Sequence, residues 1–270
     1  MATGQIKVFY TVQFQKTVPY LFQFTNIFPY VSGLPVFIFA ILGFFLFIKS
    51  FKLNNKIYTY WSLILIPALI YFLYFGQLYV KWTRFVSPVF FIFPLFTTYF
   101  LSKINNIYLR SFLVILCCLP GVYFQNLYLR PDIRLTASRW IDNNLPSGAK
   151  ILSESGNVVN LPFDGSNYQI DNYDFYNYDP ATLADNLTGS DFILVPSRRV
   201  FKNYHFSYYR HLFDGSLGFI EIKQFDPQTD IFLNPENAEE TWSVFDRPTI
   251  RIYQKVAPLT SGQYLSLLKP

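Results

Sequence analysis

The residues best suited to chemistry in this sequence lie in one short junction, Lys81-Trp82-Thr83-Arg84-Phe85-Val86-Ser87-Pro88. The junction separates two long apolar runs, so Lys81 and Arg84 lie beside a bilayer if those runs cross one. The guanidinium of Arg84 has a planar fork of donors that matches phosphate oxygens, and the ammonium of Lys81 adds a point charge. We therefore predict that Lys81 and Arg84 bind an anionic lipid headgroup. The alternative is that both side chains only anchor the chain at the membrane interface.

Carboxylates are distributed unevenly along the 270 residues. The chain has 22 Lys and Arg against 17 Asp and Glu, yet no Asp or Glu precedes Asp132, whereas ten Lys and Arg do. Activation of a hydroxyl acceptor needs a general base such as a carboxylate. We therefore assign no catalytic residue. The ten cations are spread between apolar runs and form no patch, which argues against nucleic-acid binding.

Metal and cofactor sites are not predicted either. Cys117 and Cys118 are adjacent in an apolar run, where we expect small hydrophobic residues rather than ligands. His205 and His211 lack further ligands at a spacing typical of zinc. A Ca²⁺ site remains an alternative for four aspartates whose spacing does not match an EF-hand: Asp164, Asp171, Asp174 and Asp179.

Long apolar segments flank the junction. Hydrophobic residues make up 51% of the chain and charged residues only 14%. Segments of about 20 apolar residues are long enough to cross a bilayer as helices. We predict an α-helical transmembrane bundle of about four spans over residues 1–129, with the first regular helix beginning near Leu34. The predicted spans are 27–48, 60–80, 85–101 and 107–125.

The positive charges between these segments indicate an orientation. Lys49, Lys52 and Lys56 lie in the first connection, and Lys103 and Arg110 flank the third. Connections rich in Lys and Arg face the cytoplasm. The junction and everything after residue 125 are then predicted to face outside. We expect a multi-pass protein of the cell membrane whose C-terminal domain, residues 130–270, is extracytoplasmic.

The acidic second half has the pattern of a small α/β domain. Helices are predicted over 131–145, 180–187 and 208–213, alternating with strands. The run Asp191–Val195 is apolar and short, which is typical of a strand covered on both faces. Further strands are predicted over 150–153, 217–225 and 248–254, and a loop with exposed aromatic residues over 157–177.

Several segments of this sequence resemble a family of membrane enzymes. They are Thr17-Val18-Pro19-Tyr20-Leu21-Phe22, Gly33-Leu34-Pro35, Val80-Lys81-Trp82-Thr83-Arg84-Phe85 with Pro88, Ala137-Ser138-Arg139-Trp140-Ile141 before Pro146-Ser147-Gly148-Ala149-Lys150-Ile151-Leu152, Ser197-Arg198-Arg199, Tyr208-Tyr209 with Leu217-Gly218-Phe219, and Glu239-Glu240-Thr241-Trp242-Ser243-Val244-Phe245-Asp246-Arg247-Pro248. Together they are similar to the C-terminal half of multi-spanning GT-C glycosyltransferases, relatives of the protein O-mannosyltransferases (family 39) and the aminoarabinose transferases. The resemblance covers nearly the whole chain.

The resemblance implies hexosyl or mannosyl transfer from a polyprenyl-phosphate donor to an acceptor on the outer membrane face. In that family the catalytic carboxylate lies in the first outer loop, near the N-terminus of the protein. This sequence departs from the pattern, because its membrane half has no Asp or Glu. We therefore expect a C-terminal portion that lacks the catalytic N-terminal half, with membrane lipid, the donor and that half as its partners.

A non-catalytic function is the alternative. The outer domain of a membrane-anchored module could bind a glycan or a partner protein, because aromatic faces stack on sugars. Tyrosines of the predicted loop and its end would supply that surface if they are exposed: Tyr168, Tyr173, Tyr176 and Tyr178.

Overall fold

The computed structural model describes residues 4–5, 9–51, 56–155, 161–162, 167–174, 178–197, 207–227, 231–245 and 248–269. The chain forms two compact units. The first comprises Met1–Asn126 together with Thr229–Thr241, and the second comprises Leu127–Gln228 together with Trp242–Pro270. A short segment from far along the sequence thus belongs to the helical unit, which the sequence analysis did not anticipate.

Helices form nearly all of the first unit. They are α1 (Leu21–Asn26), α2 (Phe28–Ser32), α3 (Leu34–Ser50), α4 (Lys56–Gly76), α5 (Thr83–Val86), α6 (Ile92–Ser102) and α7 (Ile107–Phe124), with 3₁₀ turns at Phe9–Phe14, Ser87–Val89 and Pro235–Asn237. The start of α3 at Leu34 confirms the predicted start of the first regular helix.

Within the residues that the structure describes, two helical stretches are long and apolar enough to cross a membrane, Tyr58–Gly76 and Ile107–Leu129. Two bent pairs would raise the number to four if each pair is one span: Leu21–Ser32 with Leu34–Ser50, bent by 116°, and Thr83–Val89 with Ile92–Ser102, bent by 43°. The second of these bends follows Pro88, which has no backbone N–H to donate and ends regular helix. The structure therefore has two to four membrane-capable segments.

Close contact between α3 and α6 forms the centre of this unit. A Cβ added to Gly43 would lie 1.9 Å from the carbonyl oxygen of Phe96, so only glycine allows this approach. The hydroxyl of Thr97 donates to the carbonyl of Val36 at 2.9 Å. Small residues and hydroxyl groups that bond across helices are the usual means of helix association in lipid.

The second unit is built on a five-stranded mixed sheet. Its elements are α8 (Asn126–Leu129), α9 (Ile133–Asn144), β1 (Lys150–Ser155), β2 (Gln169–Asp174), α10 (Pro180–Gly189), β3 (Phe192–Pro196), α11 (Ser207–Phe213), β4 (Phe219–Phe225), α12 (Glu240–Ser243), β5 (Ile250–Lys255) and α13 (Ser261–Leu268), of which α8 and α12 span the boundaries between the units. The strand order is β2-β1-β3-β5-β4. Strand β1 is parallel to β2 and β3, whereas β5 is antiparallel to β3 and β4.

The predicted α/β character is confirmed, and every residue of β3 is buried as the sequence indicated. The prediction of a loop over 157–177 is wrong in part, because β2 lies within it. Strand β2 has the polar sequence Gln-Ile-Asp-Asn-Tyr-Asp and lies at the edge of the sheet. Its strand conformation comes from pairing with β1 rather than from its own composition.

Helices cover both faces of the sheet. Successive side chains of β1 point to opposite faces of the sheet. Leu152 packs in a cluster with residues of α10, α11 and α13, whereas Ile151 packs in a cluster with residues of α9. Helix α13 is not predicted by the sequence analysis, yet Tyr264 and Leu268 on it are fully buried.

Candidate functional site

The junction, Lys81–Pro88, is preceded by α4, which ends at Gly76. A Cβ at Gly76 would come within 2.7 Å of the Tyr20 ring, so the chain passes closely under that aromatic side chain. Residues 77–82 are not helical, and α5 begins at Thr83 after an extended Trp82. The four residues Lys81 to Arg84 therefore cover the transition from irregular chain to helix.

A buried carboxylate holds the first turn of α5. Oε2 of Glu239 accepts a hydrogen bond from the backbone N–H of Thr83 at 3.2 Å and another from the Thr83 hydroxyl at 2.7 Å. Oε1 accepts from the backbone N–H of Thr241 at 3.3 Å. Glu239 is 0% exposed. Its carboxylate satisfies an N–H that the start of a helix would otherwise leave without an acceptor.

The segment that bears Glu239 is bound to the helical unit at several points. The backbone N–H of Glu239 donates to the carbonyl of Asn26 at 2.8 Å. The side-chain amide of Asn26 donates to the carbonyl of Asn237, and the hydroxyl of Tyr30 donates to the carbonyl of Asn234 at 3.0 Å. These bonds fix the position of the carboxylate against the junction.

Arg84 is exposed and is held by aromatic rings. Its Cζ lies 4.2 Å from the ring centroid of Trp82 and 5.6 Å from that of Phe85. Trp82 packs edge-on against Phe14, which is 1% exposed, with the ring centroids 6.2 Å apart. A guanidinium stacked on a fixed ring has fewer rotamers to lose when it binds a ligand.

Lys81 has a different environment, because it is 2% exposed. Its Nζ donates to the carbonyl oxygen of Tyr79 at 3.0 Å and lies 5.8 Å from the Tyr79 ring centroid. Burial lowers the pKa of Lys81 to about 8, since the charged form loses hydration. The burial does not fit a side chain that only reaches out to interfacial water.

The two residues predicted to bind a lipid headgroup, Lys81 and Arg84, therefore lie in the same junction but differ in their exposure to solvent. Arg84 presents its guanidinium to the surroundings, whereas the ammonium of Lys81 is enclosed beneath the surface. Only Arg84 is placed for direct contact with a ligand. Lys81 contributes positive potential from a position with weak solvent screening.

The predicted aromatic surface is wrong for two of its four tyrosines. Tyr168 and Tyr173 are 7% and 5% exposed, and their hydroxyls donate to the carbonyls of Ile141 and Asp179. Tyr178 is half-buried, and its hydroxyl donates a hydrogen bond to the carbonyl of Leu268 at 3.0 Å. Tyr176 lies outside the described residues. The composition of the segment indicated a loop, and the formation of β2 buries these rings instead.

Those of the other candidate ligands that the structure describes are not gathered into a site. Nδ1 of His211 lies 2.7 Å from the hydroxyl of Ser216, and Asp179 caps α10 by accepting from Thr182. His205 and Asp164 lie outside the described residues. Within the described ranges, no three His, Cys, Asp or Glu side chains form a group that could hold a metal ion.

Glu239 is the functional-site residue that sequence reasoning missed. In the sequence Glu239 is part of a resemblance motif only, and the membrane half contains no carboxylate of its own. A separation of 156 positions between Thr83 and Glu239 hides the contact. The available signal was the pair of carboxylates Glu239-Glu240 close to Trp242.

Comparisons with models of protein families, with curated proteins and with solved structures found no match. The geometry of the junction is therefore the basis on which a function can be argued.

Proposed function

We propose that the junction binds the phosphate of a polyprenyl-phosphate sugar donor. The chain would then be the C-terminal portion of a multi-pass membrane glycosyltransferase that moves a sugar to an acceptor on the outer membrane face, with its α/β domain extracytoplasmic. The observation that carries the proposal is an exposed arginine, Arg84, fixed on Trp82 at a junction between two membrane-capable segments.

Arg84 suits a phosphate for geometric reasons. Its guanidinium can donate two parallel hydrogen bonds to two oxygens of one phosphate group. Stacking on Trp82 restricts its rotamers before the ligand arrives, so binding costs less conformational entropy. The isoprenoid tail of such a donor remains in the hydrocarbon region, which places its phosphate at the depth of an interfacial junction.

Lys81 makes the affinity dependent on pH. Its free pKa of about 8 means that the ammonium is protonated at neutral pH and loses its proton as the pH rises above 8. A bound phosphate favours the charged form and therefore raises this pKa. Affinity for the lipid phosphate is therefore highest below pH 8 and falls as the pH rises through 8 and above.

Glu239 acts in this proposal as a positioning residue. Both of its carboxylate oxygens accept hydrogen bonds, and the side chain is 0% exposed, so it does not reach a substrate hydroxyl. It holds the turn from which Arg84 projects. The general base of the transfer would come from the N-terminal catalytic half that the family resemblance implies.

Binding of a polyprenyl phosphate to the purified full chain tests the proposal. Undecaprenyl phosphate and the matching alcohol, undecaprenol, would be titrated into the chain in detergent and the binding followed by tryptophan fluorescence. We expect preference for the phosphate and a loss of about tenfold in affinity on Arg84→Ala, because a charge-assisted bidentate bond is removed.

Lys16→Gln is the matched control. Lys16 is exposed and lies on the side of the chain that is predicted to face outside. Its replacement removes one positive charge at a position outside residues 81–88, so the affinity should change by less than about twofold. Equal binding of the phosphate and the alcohol, or equal losses in the two variants, would contradict the proposal.

A further inference from the structure

A groove between α6 and α7 lies apart from the junction. It has a volume of about 540 Å³ and is lined by one face of each helix. On α7, Arg110 and Ser111 are followed one turn later by Val114 and Ile115, which share their face because four residues make about one helical turn. The opposite wall includes Leu101 on α6.

Polar groups gather at one end of this groove. Ser102 is the last residue of α6, and Arg110 and Ser111 lie in the first turns of α7. The hydroxyl of Ser102 donates to the carbonyl of Tyr99 at 2.7 Å, which leaves its oxygen able to accept or to face a ligand. Arg110 is half-buried. Among the residues that the structure describes, no carboxylate forms an ion pair with it.

The rest of the groove is open and mainly aliphatic, with the hydroxyl of Thr98 as its one further polar group among the lining residues. Val114 and Ile115 are 45% and 61% exposed, and no described residue of α7 is buried. The lining thus changes along the helix axis from a cation with two hydroxyls to mainly aliphatic side chains, beside which Thr98 is uncharged. This gradient matches an amphiphile with an anionic head and a hydrocarbon tail rather than a soluble anion.

We propose that this groove binds an anionic glycerophospholipid, with its phosphate on Arg110 and an acyl chain along Val114 and Ile115. Basic pockets between membrane helices on the cytoplasmic side bind anionic headgroups. The connection between α6 and α7 bears Lys103 and is predicted from its charge to face the cytoplasm. Charge complementarity is therefore the argument for this occupant over a neutral lipid.

Native mass spectrometry of the full chain in detergent tests the site. Phosphatidylglycerol and phosphatidylcholine with the same acyl chains are the probes, and glycerol phosphate without chains is a third. We expect retention of phosphatidylglycerol at least about fivefold above phosphatidylcholine, and no retention of glycerol phosphate. Arg110→Gln should abolish this preference, because it removes the positive charge but keeps a polar side chain at this position.

Two further variants separate the site from general attraction to charge. Val114→Trp fills the groove without changing charge, and its exposed position makes it compatible with folding; it should also lower phosphatidylglycerol retention. Lys49→Gln removes an exposed cation on the same predicted side and should leave retention within about twofold. The proposal would be overturned if the unaltered chain retained both lipids equally or if Arg110→Gln left retention unaffected. Recovery of the chain as a dimer without bound lipid would also overturn it.

Discussion

The contact between Thr83 and Glu239 gives the sharpest test of how the junction is built. Replacing Thr83 by Val keeps the shape of the side chain but removes the 2.7 Å hydrogen bond to Oε2. Hydrogen bonds to a charged acceptor contribute about 1.5–3 kcal/mol, so we expect that loss in the free energy of unfolding. Thr83→Ser keeps the hydroxyl and should remain close to the unaltered chain.

Replacing Glu239 by Ala has a larger expected cost. It removes the acceptor of both the Thr83 N–H and the Thr83 hydroxyl in a buried position. The N–H of Thr241 also loses its acceptor, and leaving these three part-buried donors without one costs about 3–5 kcal/mol in total. The double variant should then cost less than the sum of the single ones, by about 1.5 kcal/mol or more, because the shared hydrogen bond is lost only once.

Unfolding in mixed detergent micelles, followed by tryptophan fluorescence, measures all four states of this cycle. Trp82, one of four tryptophans in the chain, adjoins Thr83 and contributes a signal from the junction. Glu240→Ala is the control, because it removes a neighbouring carboxylate that is half-buried rather than fully buried. Strictly additive losses at Thr83 and Glu239, or an equal loss at Glu240, would refute the assignment of Glu239 as the group that holds α5.

Three other outcomes follow from the structure. Lys81→Met should raise stability at pH 7 by on the order of 2–3 kcal/mol, because burial lowers the pKa of Lys81 in the folded chain to about 8 from the ordinary lysine value of 10.5. The stability of the unaltered chain should rise between pH 8 and 10.5, where the unfolded chain binds more protons, and the variant should lack that rise. Gly43→Ala should cost about 1–3 kcal/mol through the clash with Phe96, whereas Gly121→Ala, whose Cβ meets nothing within 4 Å, should be neutral or slightly stabilising; equal effects in the same unfolding assay would contradict the close packing of α3 and α6. Tyr173→Phe should lower stability by about 1–3 kcal/mol and speed hydrogen exchange in β2, since its hydroxyl bonds both the N–H and the carbonyl of Asp179; unchanged exchange would contradict its role in the core.

Sequence periodicity predicted the elements whose own composition decides their conformation. The start of α3 at Leu34 follows from the change from a Pro- and Gly-containing stretch to a continuous apolar run. Strand β3 was predictable because five apolar residues in sequence are typical of a strand buried on both faces. In both cases local chemistry and tertiary environment agree.

Elements that depend on distant partners were not predictable in the same way. Strand β2 is polar and becomes a strand by pairing with β1, so its composition indicated a loop. Glu239 enters the helical unit through hydrogen bonds to Asn26 and Thr83, which lie more than 150 positions earlier. No pattern within a short window contains that information.

The position of the candidate site in the sequence was predictable, but which of its two cations is buried and which is exposed was not. The pairing of Lys81 with Arg84 identified the junction, but composition cannot distinguish the buried cation from the exposed one. Burial of Lys81 results from the irregular chain between α4 and α5, and exposure of Arg84 from the first turn of α5. The division of roles between the two cations is therefore a result of the structure.

Site mapping with a photoreactive polyprenyl phosphate tests the central proposal most directly. The probe would have a diazirine on the isoprene unit next to the phosphate and would be irradiated with the full chain in lipid nanodiscs. The proposal predicts that labelled peptides concentrate on residues 79–88, that excess undecaprenyl phosphate displaces the label, and that Arg84→Ala reduces it. Label spread evenly along the apolar helices, or concentrated in the groove between α6 and α7, would contradict it.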